Sequence, residues 1–452
     1  MRRVLHITHP WGGGIATYIN DLKIASGEDY SIYTMKCFQG LVRVTSLTSD
    51  NISTKEYYLG VDLKLTDYTN AKYAKILSKI LYEFEIDIVQ IDSAVGHTFD
   101  IFTVPAIKKT PLVCVIHDFF YICPTFHLVN NDGMYCQITC QNDNKCTALK
   151  DNDYLYSQLS YDDIVTFRKK FKAIIDSVSS FVFPSVSAKD IFQRFYELEE
   201  KNCRVICHGT SLTKADILIS LCDDNFFRVG ILGSMLKHKG KSTIQSIITS
   251  MENSPVKFYH FGDGDLYGKN LENFGRYEQH NILGLLRDMK IDVMLLLPSW
   301  PETFSYTLSE SIAANIPPIV SNLGALKERV SAGDFGWLVD YNDVKGICNL
   351  IESLTADRSE VNKYRKNISN IRLKTLGDMH QDYVDLYSAI CLDKGCTNMK
   401  GLLGLQVSPV DDSSHFFFVQ IINLKLIMIS SFLYRFKRKL RRFFINLFSI
   451  FK

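Results

Sequence analysis

The sequence predicts an α/β protein made of two doubly wound halves, and three observations lead there. Short runs rich in Val, Ile, Leu and Phe alternate with helix-length segments through most of the chain. These runs are apolar throughout rather than at every second position, as expected of parallel strands covered on both faces. The alternation pauses once, in the polar stretch around His208 to Asp224, and then starts again. With 452 residues, 46% of them hydrophobic and 22% charged, the chain has apolar material for two cores, which excludes intrinsic disorder and collagen-like order.

In the first half, residues 1–210, strands are expected at Val4 to Thr8, Tyr30 to Lys36, Ile86 to Ile91, Leu112 to Ile116, Phe181 to Ser185 and Arg204 to Ile206. Helices are expected at Ile15 to Ile24 and from Ala188 to Tyr196. The second half, residues 225–365, opens with Phe227 to Gly233 and repeats at Val256 to Phe261, Asp292 to Leu297, Ile319 to Ser321 and Trp337 to Val339. Gly and Asp punctuate these strand ends. Two such halves place their strand C-termini, and hence ligands, along the cleft between them. Two Rossmann-like halves with unrelated tasks satisfy the same pattern. The segment from Asp118 to Tyr161 has no clear periodicity, and loops of that length inside a compact domain tend to be functional.

Charge and cysteine content narrow the function classes. Fifty-one basic and forty-nine acidic residues leave a formal charge of +2, so the molecule as a whole has no bias toward nucleic acid. Twelve scattered cysteines fall far below the density of a disulfide scaffold. Met1-Arg2-Arg3 is followed by an apolar run too short for a secretory segment, so a cytoplasmic location is the expectation.

Three stretches carry chemistry. Gly12-Gly13-Gly14 lies between a strand and a helix, where backbone N–H groups can approach a phosphate, although a tight turn explains it equally well. Gly233-Ser234-Met235-Leu236-Lys237-His238-Lys239-Gly240 repeats the arrangement with cations, and Lys239 is preferred over Lys237 as the group that neutralises a diphosphate; a solvated loop lysine is the plain alternative. Pro298 to Glu310 follows a buried strand and opens a helix, with Glu302 and Glu310 separated by seven residues. If Glu310 lies two turns into that helix, the pair spans roughly 12 Å, the length of a sugar plus a ribose. A helix-dipole acid and an unrelated surface acid would look the same. Gly262-Asp263-Gly264-Asp265 suggests a metal-binding carboxylate pair, but turn chemistry accounts for it.

The stretch Pro301-Glu302-Thr303-Phe304 through Glu310, with Ala313 to Ser321 after it, resembles the glutamate-x7-glutamate signature of retaining family 4 glycosyltransferases of the GT-B fold, of the bacterial polysaccharide or O-antigen type. Gly233 to Gly240, His117-Asp118 and Gly12 to Gly14 fall in the order that family shows, and the similarity covers roughly Val4 to Ile390. The resemblance implies two Rossmann-like domains facing across a cleft, an acceptor-side domain over 1–210 with a long cysteine-containing loop at 119–160, a nucleotide-sugar domain over 225–365, and a helix at 366–390 returning toward the first domain.

It also implies roles. Glu310 matches the carboxylate that binds ribose hydroxyls, Glu302 the one beside the donor sugar, and Lys239 the diphosphate-binding lysine. The backbone at Thr303, Phe304 and Ser305 matches amides that hold sugar hydroxyls or phosphate. His117 matches a histidine that positions donor or acceptor, with a strand-end histidine bonded to backbone as the bland alternative. Gly13, Gly14, Gly233 and Ser234 complete the expected nucleotide-sugar contacts. The expected reaction is a retaining, metal-independent hexosyl transfer from a nucleotide-diphosphate-sugar, with no further cofactor, to a lipid-linked glycan. Ser234 stands where the family often has an arginine, which removes a bidentate diphosphate donor. Thr303, Ser305 and Asn315 stand where it has glycines, Asn being the mildest replacement. These departures keep a catalytically silent glycan-binding or scaffold protein in view, and a nucleotide-sugar epimerase is a third reading.

Two regions lie outside that signature. Cys123, Cys136, Cys140 and Cys146 could supply four thiolates to a structural zinc in a loop with little apolar content to order it, although neither pair has Cys-x2-Cys spacing. From Lys425 to Lys452 there are eight Lys or Arg and no acid, and Leu433, Phe436, Leu440, Phe443, Phe444, Leu447 and Phe451 recur at helical spacing. Residues 411–452 therefore read as a basic amphipathic helical tail for an anionic membrane surface, which would hold the protein on the cytoplasmic face of the inner or plasma membrane; a helix packed on the protein body is the alternative.

Overall fold

The computed structural model describes residues 2–27, 29–47, 52–123, 125–130, 132–140, 160–214 and 226–393, all within one compact unit, Met1–Thr397. Two sheets organise them. The first contains β1 (Arg2–Ile7), β2 (Tyr30–Phe38), β3 (Leu41–Leu47), β4 (Ile52–Tyr58), β5 (Ile88–Ile91), β6 (Leu112–Val115), β7 (Ser180–Phe183) and β8 (Cys203–Val205), in spatial order β4-β3-β2-β1-β5-β6-β7-β8. The second contains β9 (Phe227–Leu232), β10 (Val256–Phe261), β11 (Leu271–Gly275), β12 (Val293–Leu296), β13 (Pro318–Ser321) and β14 (Trp337–Val339), in order β11-β10-β9-β12-β13-β14. The pairings of the second sheet are parallel, as are those from β2 through β8 in the first. Each parallel ladder reverses its order once, between β1 and β5 and between β9 and β12. The loops after those four strands therefore open into crevices where ligands bind.

The edge of the first sheet departs from the expected all-parallel pattern, because β3 pairs antiparallel with β2 and β4 antiparallel with β3. In β3 only Val42, Val44 and Ser46 are buried, a period of two and not a continuous apolar run. The edge strand β11 carries no apolar run either, none of its five residues being fully buried.

The helices are α1 (Gly14–Ser26), α2 (Ala71–Glu83), α3 (Asp100–Ile107), α4 (Tyr161–Lys172), α5 (Val186–Gln193), α6 (Lys241–Ser250), α7 (Ile282–Asp288), α8 (Tyr306–Ala313), α9 (Gly324–Gly333), α10 (Val344–Ala356), α11 (Ser359–Ser369) and α12 (Leu376–Asp393). Side chains of Asn70, Ser160, Ser185, Ser305 and Asp343 each accept a hydrogen bond from an otherwise free first-turn amide. Met379, Tyr383, Leu386, Tyr387 and Ile390 form the buried stripe of α12, packed with Val4, Ile15, Tyr18, Ile19 and Leu22 of the first half. Among the described residues no helix is long and apolar enough to cross a membrane. The basic tail, residues 411–452, lies outside the described residues.

The loop after His117 is not poor in apolar content, contrary to the sequence reading. Phe119, Phe120, Tyr121, Ile122, Cys123, Leu128, Ile138 and Cys140 are buried in the first core. Aromatic residues without a helical or strand period order this segment by packing against Phe167, Phe171 and Phe192 from α4 and α5.

Candidate active site

On the second-sheet side, two glycine positions draw the lysine loop against the end of β12. Gly240 has φ +78°, and a Cβ there would lie 1.9 Å from the Leu297 carbonyl oxygen. Gly262 packs under Gly233 so closely that its Cβ would lie 2.1 Å from the Gly233 carbonyl oxygen. Only glycine fits either place. The Ser299 amide then donates to the His238 carbonyl at 3.0 Å, and the Lys239 ammonium reaches Glu302, with Nζ 2.5 Å from Oε1. The lysine side chain is 38% exposed and the glutamate 7%. A half-solvated ammonium balanced by one carboxylate is a site where a diphosphate can compete for the charge. Ser234 is exposed. Asp263 forms an ion pair with Arg276, and its carbonyl accepts from the Met235 amide at 2.7 Å.

After Glu302 the loop touches the other half. Thr303 Oγ1 donates to the His117 carbonyl at 2.6 Å, which joins the ends of β12 and β6. Ser305 and Asn315, two of the positions expected to want glycine, have φ +86° and +56°, whereas Thr303 does not adopt positive φ. Ser305 is held there by its own Oγ, which caps α8 through the Leu308 amide, and by Arg329 Nη1, which donates to the Ser305 carbonyl at 2.9 Å. The Phe304 ring lies 4.5 Å from the Arg329 guanidinium carbon. Glu310 sits one turn into α8, not two, because the helix begins at Tyr306. The 12 Å helical span therefore does not apply; Glu302 belongs to the loop. Burial pushes the Glu310 carboxyl up to about 7 even though Tyr277 Oη donates to it at 2.7 Å.

On the first-sheet side, Gly13 has φ +95° and precedes α1, and a Cβ on Gly12 or Gly13 would meet nothing within 4 Å. At Gly14 it would meet the Tyr306 ring at 3.8 Å, so the glycine turn faces the start of α8. His117, its side chain 5% exposed, has Nε2 3.4 Å from Asp92 Oδ1, while Asp92 Oδ2 lies 2.8 Å from His6 Nδ1. Burial opposes the charge on Asp92, but the imidazoles of His6 and His117 hold its carboxyl at about 2. Gln90 Nε2 donates to the same carboxylate at 2.9 Å, and Tyr387 Oη of α12 donates to Gln90 Oε1 at 2.6 Å. The His208 ring packs 5.2 Å from His117 and 4.7 Å from Phe304, and burial drives its pKa well below the ordinary imidazole value. His9 and His97 are likewise pushed down, to about 4, mainly by burial. This wall is lined with imidazoles around one buried carboxylate.

The structure thus brings together His117, Lys239, Glu302, Thr303, Phe304 and Ser305, with Gly14 facing the start of the helix that carries Glu310. Asp92, His208, Tyr277 and Arg329 were not found from the sequence. Asp92 was within reach, since it follows the buried strand β5 at a sheet reversal. Among the described cysteines, Cys123 Sγ lies 3.2 Å from Thr125 Oγ1 and Arg168 Nη2 donates to Cys140 Sγ at 3.3 Å. No group of three or more metal-ligating side chains forms among the described residues, and Cys146 lies outside them.

Residues 265–371 match the family of glycosyl transferases group 1, a stretch that contains Glu302, Glu310 and Arg329. An uncharacterized 41.2 kDa protein in the cps region of Klebsiella pneumoniae is 21% identical over 414 residues, 85% of this chain and 99% of that protein. The crystal structure of HepE from Anabaena in complex with UDP-glucose superimposes with a TM-score of 0.57 at 14% identity, covering 86% of this chain and 100% of the other. The lipopolysaccharide outer core galactosyltransferase WaaB, in its apo form, gives 0.54 at 11% identity over 86% of this chain and 100% of its own. The chain has the GT-B glycosyltransferase fold and carries a glycosyl transferases group 1 domain over residues 265–371.

Proposed function

We propose that this protein is a retaining glycosyltransferase that moves a hexosyl unit from a nucleotide-diphosphate-sugar to a lipid-linked glycan in cell-surface polysaccharide assembly of the O-antigen type. The observation that carries the reading is the meeting of the Lys239–Glu302 pair with His117 through the Thr303 hydrogen bond, which sets a diphosphate cation beside a histidine-lined wall. The donor pyrophosphate exchanges places with Glu302 as partner of Lys239, and the ribose hydroxyls donate to Glu310. The acceptor hydroxyl attacks the anomeric carbon from the face that the diphosphate leaves. The new bond joins acceptor oxygen to that carbon, the bond to the phosphate oxygen breaks, and the acceptor proton passes to the departing phosphate, so configuration is kept. Negative charge grows on the leaving group, where Lys239 and the loop amides stabilise it. His117, oriented by Asp92, positions the sugar. Lys239 supplies the cation at the phosphate, so chelation should leave the rate unchanged.

The UDP-glucose complex of HepE makes uridine nucleotides the first donors to try. The lipid-linked acceptor is supported by the basic, aromatic sequence of residues 411–452 and by the named activity of WaaB. Deleting 411–452 should release the protein from membranes, and unchanged membrane association would remove that support. Exposed Ser234, in place of a guanidinium, favours the second reading, a silent glycan-binding or scaffold protein. Incubation of membranes containing the protein with a panel of nucleotide sugars separates the two. A transferase makes glycoside and free nucleotide diphosphate and loses both with Lys239→Ala or Glu302→Ala, whereas a binder makes neither.

A further inference from the structure

We propose that helix α9 couples the shape of the loop at 302–305 to the approach of the two halves, with Arg329 as the positioning residue and Glu328 as the contact that senses closure. The inference rests on the transferase reading above. The helix starts against the loop: a Cβ on Gly324 would lie 2.6 Å from the Glu302 carbonyl oxygen, and the Ala325 amide donates to that oxygen at 2.8 Å. Farther along, Arg329 Nη1 donates to the carbonyls of Ser305 at 2.9 Å and Phe304 at 3.4 Å, and Nη2 donates to Ser309 Oγ at 2.9 Å.

Three loop carbonyls, those of residues 302, 304 and 305, are thus turned toward α9. In a planar trans peptide the N–H of the next residue points opposite to the carbonyl. The amides of Thr303, Ser305 and Tyr306 are therefore directed away from α9, and among the described residues none of the three donates a hydrogen bond. That is the arrangement a phosphate oxygen or sugar hydroxyl requires. Arg329 sets two of the three carbonyls and the Ala325 amide the third.

The neighbouring residue connects the same helix to the first half. Glu328 Oε2 accepts from the Ser187 amide at 2.7 Å and Oε1 from the Val186 amide at 3.2 Å, capping the first turn of α5 with both oxygens. These are charge-assisted bonds to otherwise unpaired amides at the positive end of a helix. When the halves separate, both contacts go to water. Helix α9 stays packed in its own half through Leu326 and Val330 but loses its tie to α5 at the turn that carries Arg329, and the guanidinium is free to shift with that turn. Coupling is reciprocal, so a donor that needs the preset loop must also favour the closed arrangement.

The test uses the full chain as wild type, Glu328→Ala, Glu328→Gln, Arg329→Lys and the Glu328→Ala, Arg329→Lys double variant. Donor KM, kcat and UDP affinity are measured, along with the change in radius of gyration on adding UDP. Glu328→Ala should raise the donor KM about fivefold or more and remove the UDP-induced compaction, with Glu328→Gln between it and wild type. Because both residues act through one helix, the double variant should cost no more than the worse single. Additive losses, or a Glu328→Ala protein that binds UDP and compacts as wild type does, would overturn the coupling while leaving the transferase reading intact. A wild type that neither binds UDP nor transfers sugar would overturn both. Should Arg329→Lys fail to fold, the Glu328→Ala result decides.

Discussion

On the second-sheet wall of the cleft, Lys239, Glu302 and Glu310 come from two short contiguous stretches. The first-sheet wall instead gathers His6, His9, Asp92, His97, His117 and His208 from strand ends scattered over two hundred positions. The first kind of wall, on the proposed reading, would hold a fixed ligand part, a nucleotide diphosphate, with glycines that admit no Cβ at Gly240 and Gly262 and one partly exposed cation. The second is a set of imidazoles beside a buried carboxylate, those of His9, His97 and His208 pushed toward the neutral form by burial, suited to positioning hydroxyl groups by donated and accepted hydrogen bonds. Charge works at one wall and hydrogen-bond direction at the other.

The largest test of this contrast is Lys239→Ala, which should lower the transfer rate by about a hundredfold to a thousandfold and weaken nucleotide binding with it. A rate within threefold of wild type would mean that the cation of the second wall lies elsewhere. Next, Asp92→Asn should slow transfer while leaving UDP affinity unchanged, since it touches only the first wall. It should also destabilise the protein at neutral pH by about 2 kcal/mol, from a carboxyl held at about 2 against an ordinary value near 3.8. Because the folded value is depressed, that stability is present above pH 4 and fades as pH falls through about 2. The difference between variant and wild type in thermal melts should shrink over that window.

Glu310 sharpens the contrast through pH. Its raised value means the buried acid holds a proton below about 7; if ribose hydroxyls donate to the carboxylate, as proposed, binding expels that proton. UDP affinity should fall about fivefold from pH 7 to pH 6 in wild type, and Glu310→Gln should bind weakly with no such slope. The linked stability has the opposite sign, being present at low pH and lost as pH rises through about 7. The smallest effect is Ser305→Gly, which relieves a positive φ at the loss of a weak helix cap and should stabilise the free protein by about 1 kcal/mol. A lower melting temperature would show that the Ser305 hydroxyl matters more than the backbone strain.

The same division explains what the sequence made legible. Buried parallel strands announce themselves as unbroken apolar runs, so β1, β5, β9 and β12, and the loops that follow them, could be read directly. Glycine spacing marked the lysine loop because a Cβ has no room there. The hairpin of β3 and β4 escaped because half its residues face solvent, and the 119–140 loop because packing of Phe119 to Tyr121 leaves no period. Glu310 was placed a turn too deep because Thr303 and Ser305 are both acceptable caps and the sequence does not choose between them. Arg329 was invisible, since an arginine on an amphipathic helix reads as solvent-facing until the carbonyls it holds are known.

The central claim is that one pyrophosphate is held between the two walls, and the most direct measurement is a crystal structure of the full chain with UDP. The account predicts a diphosphate oxygen about 3 Å from Lys239 Nζ, the Lys239–Glu302 contact broken, and the ribose on Glu310. A diphosphate bound away from Lys239, with the ion pair to Glu302 still made, would contradict it.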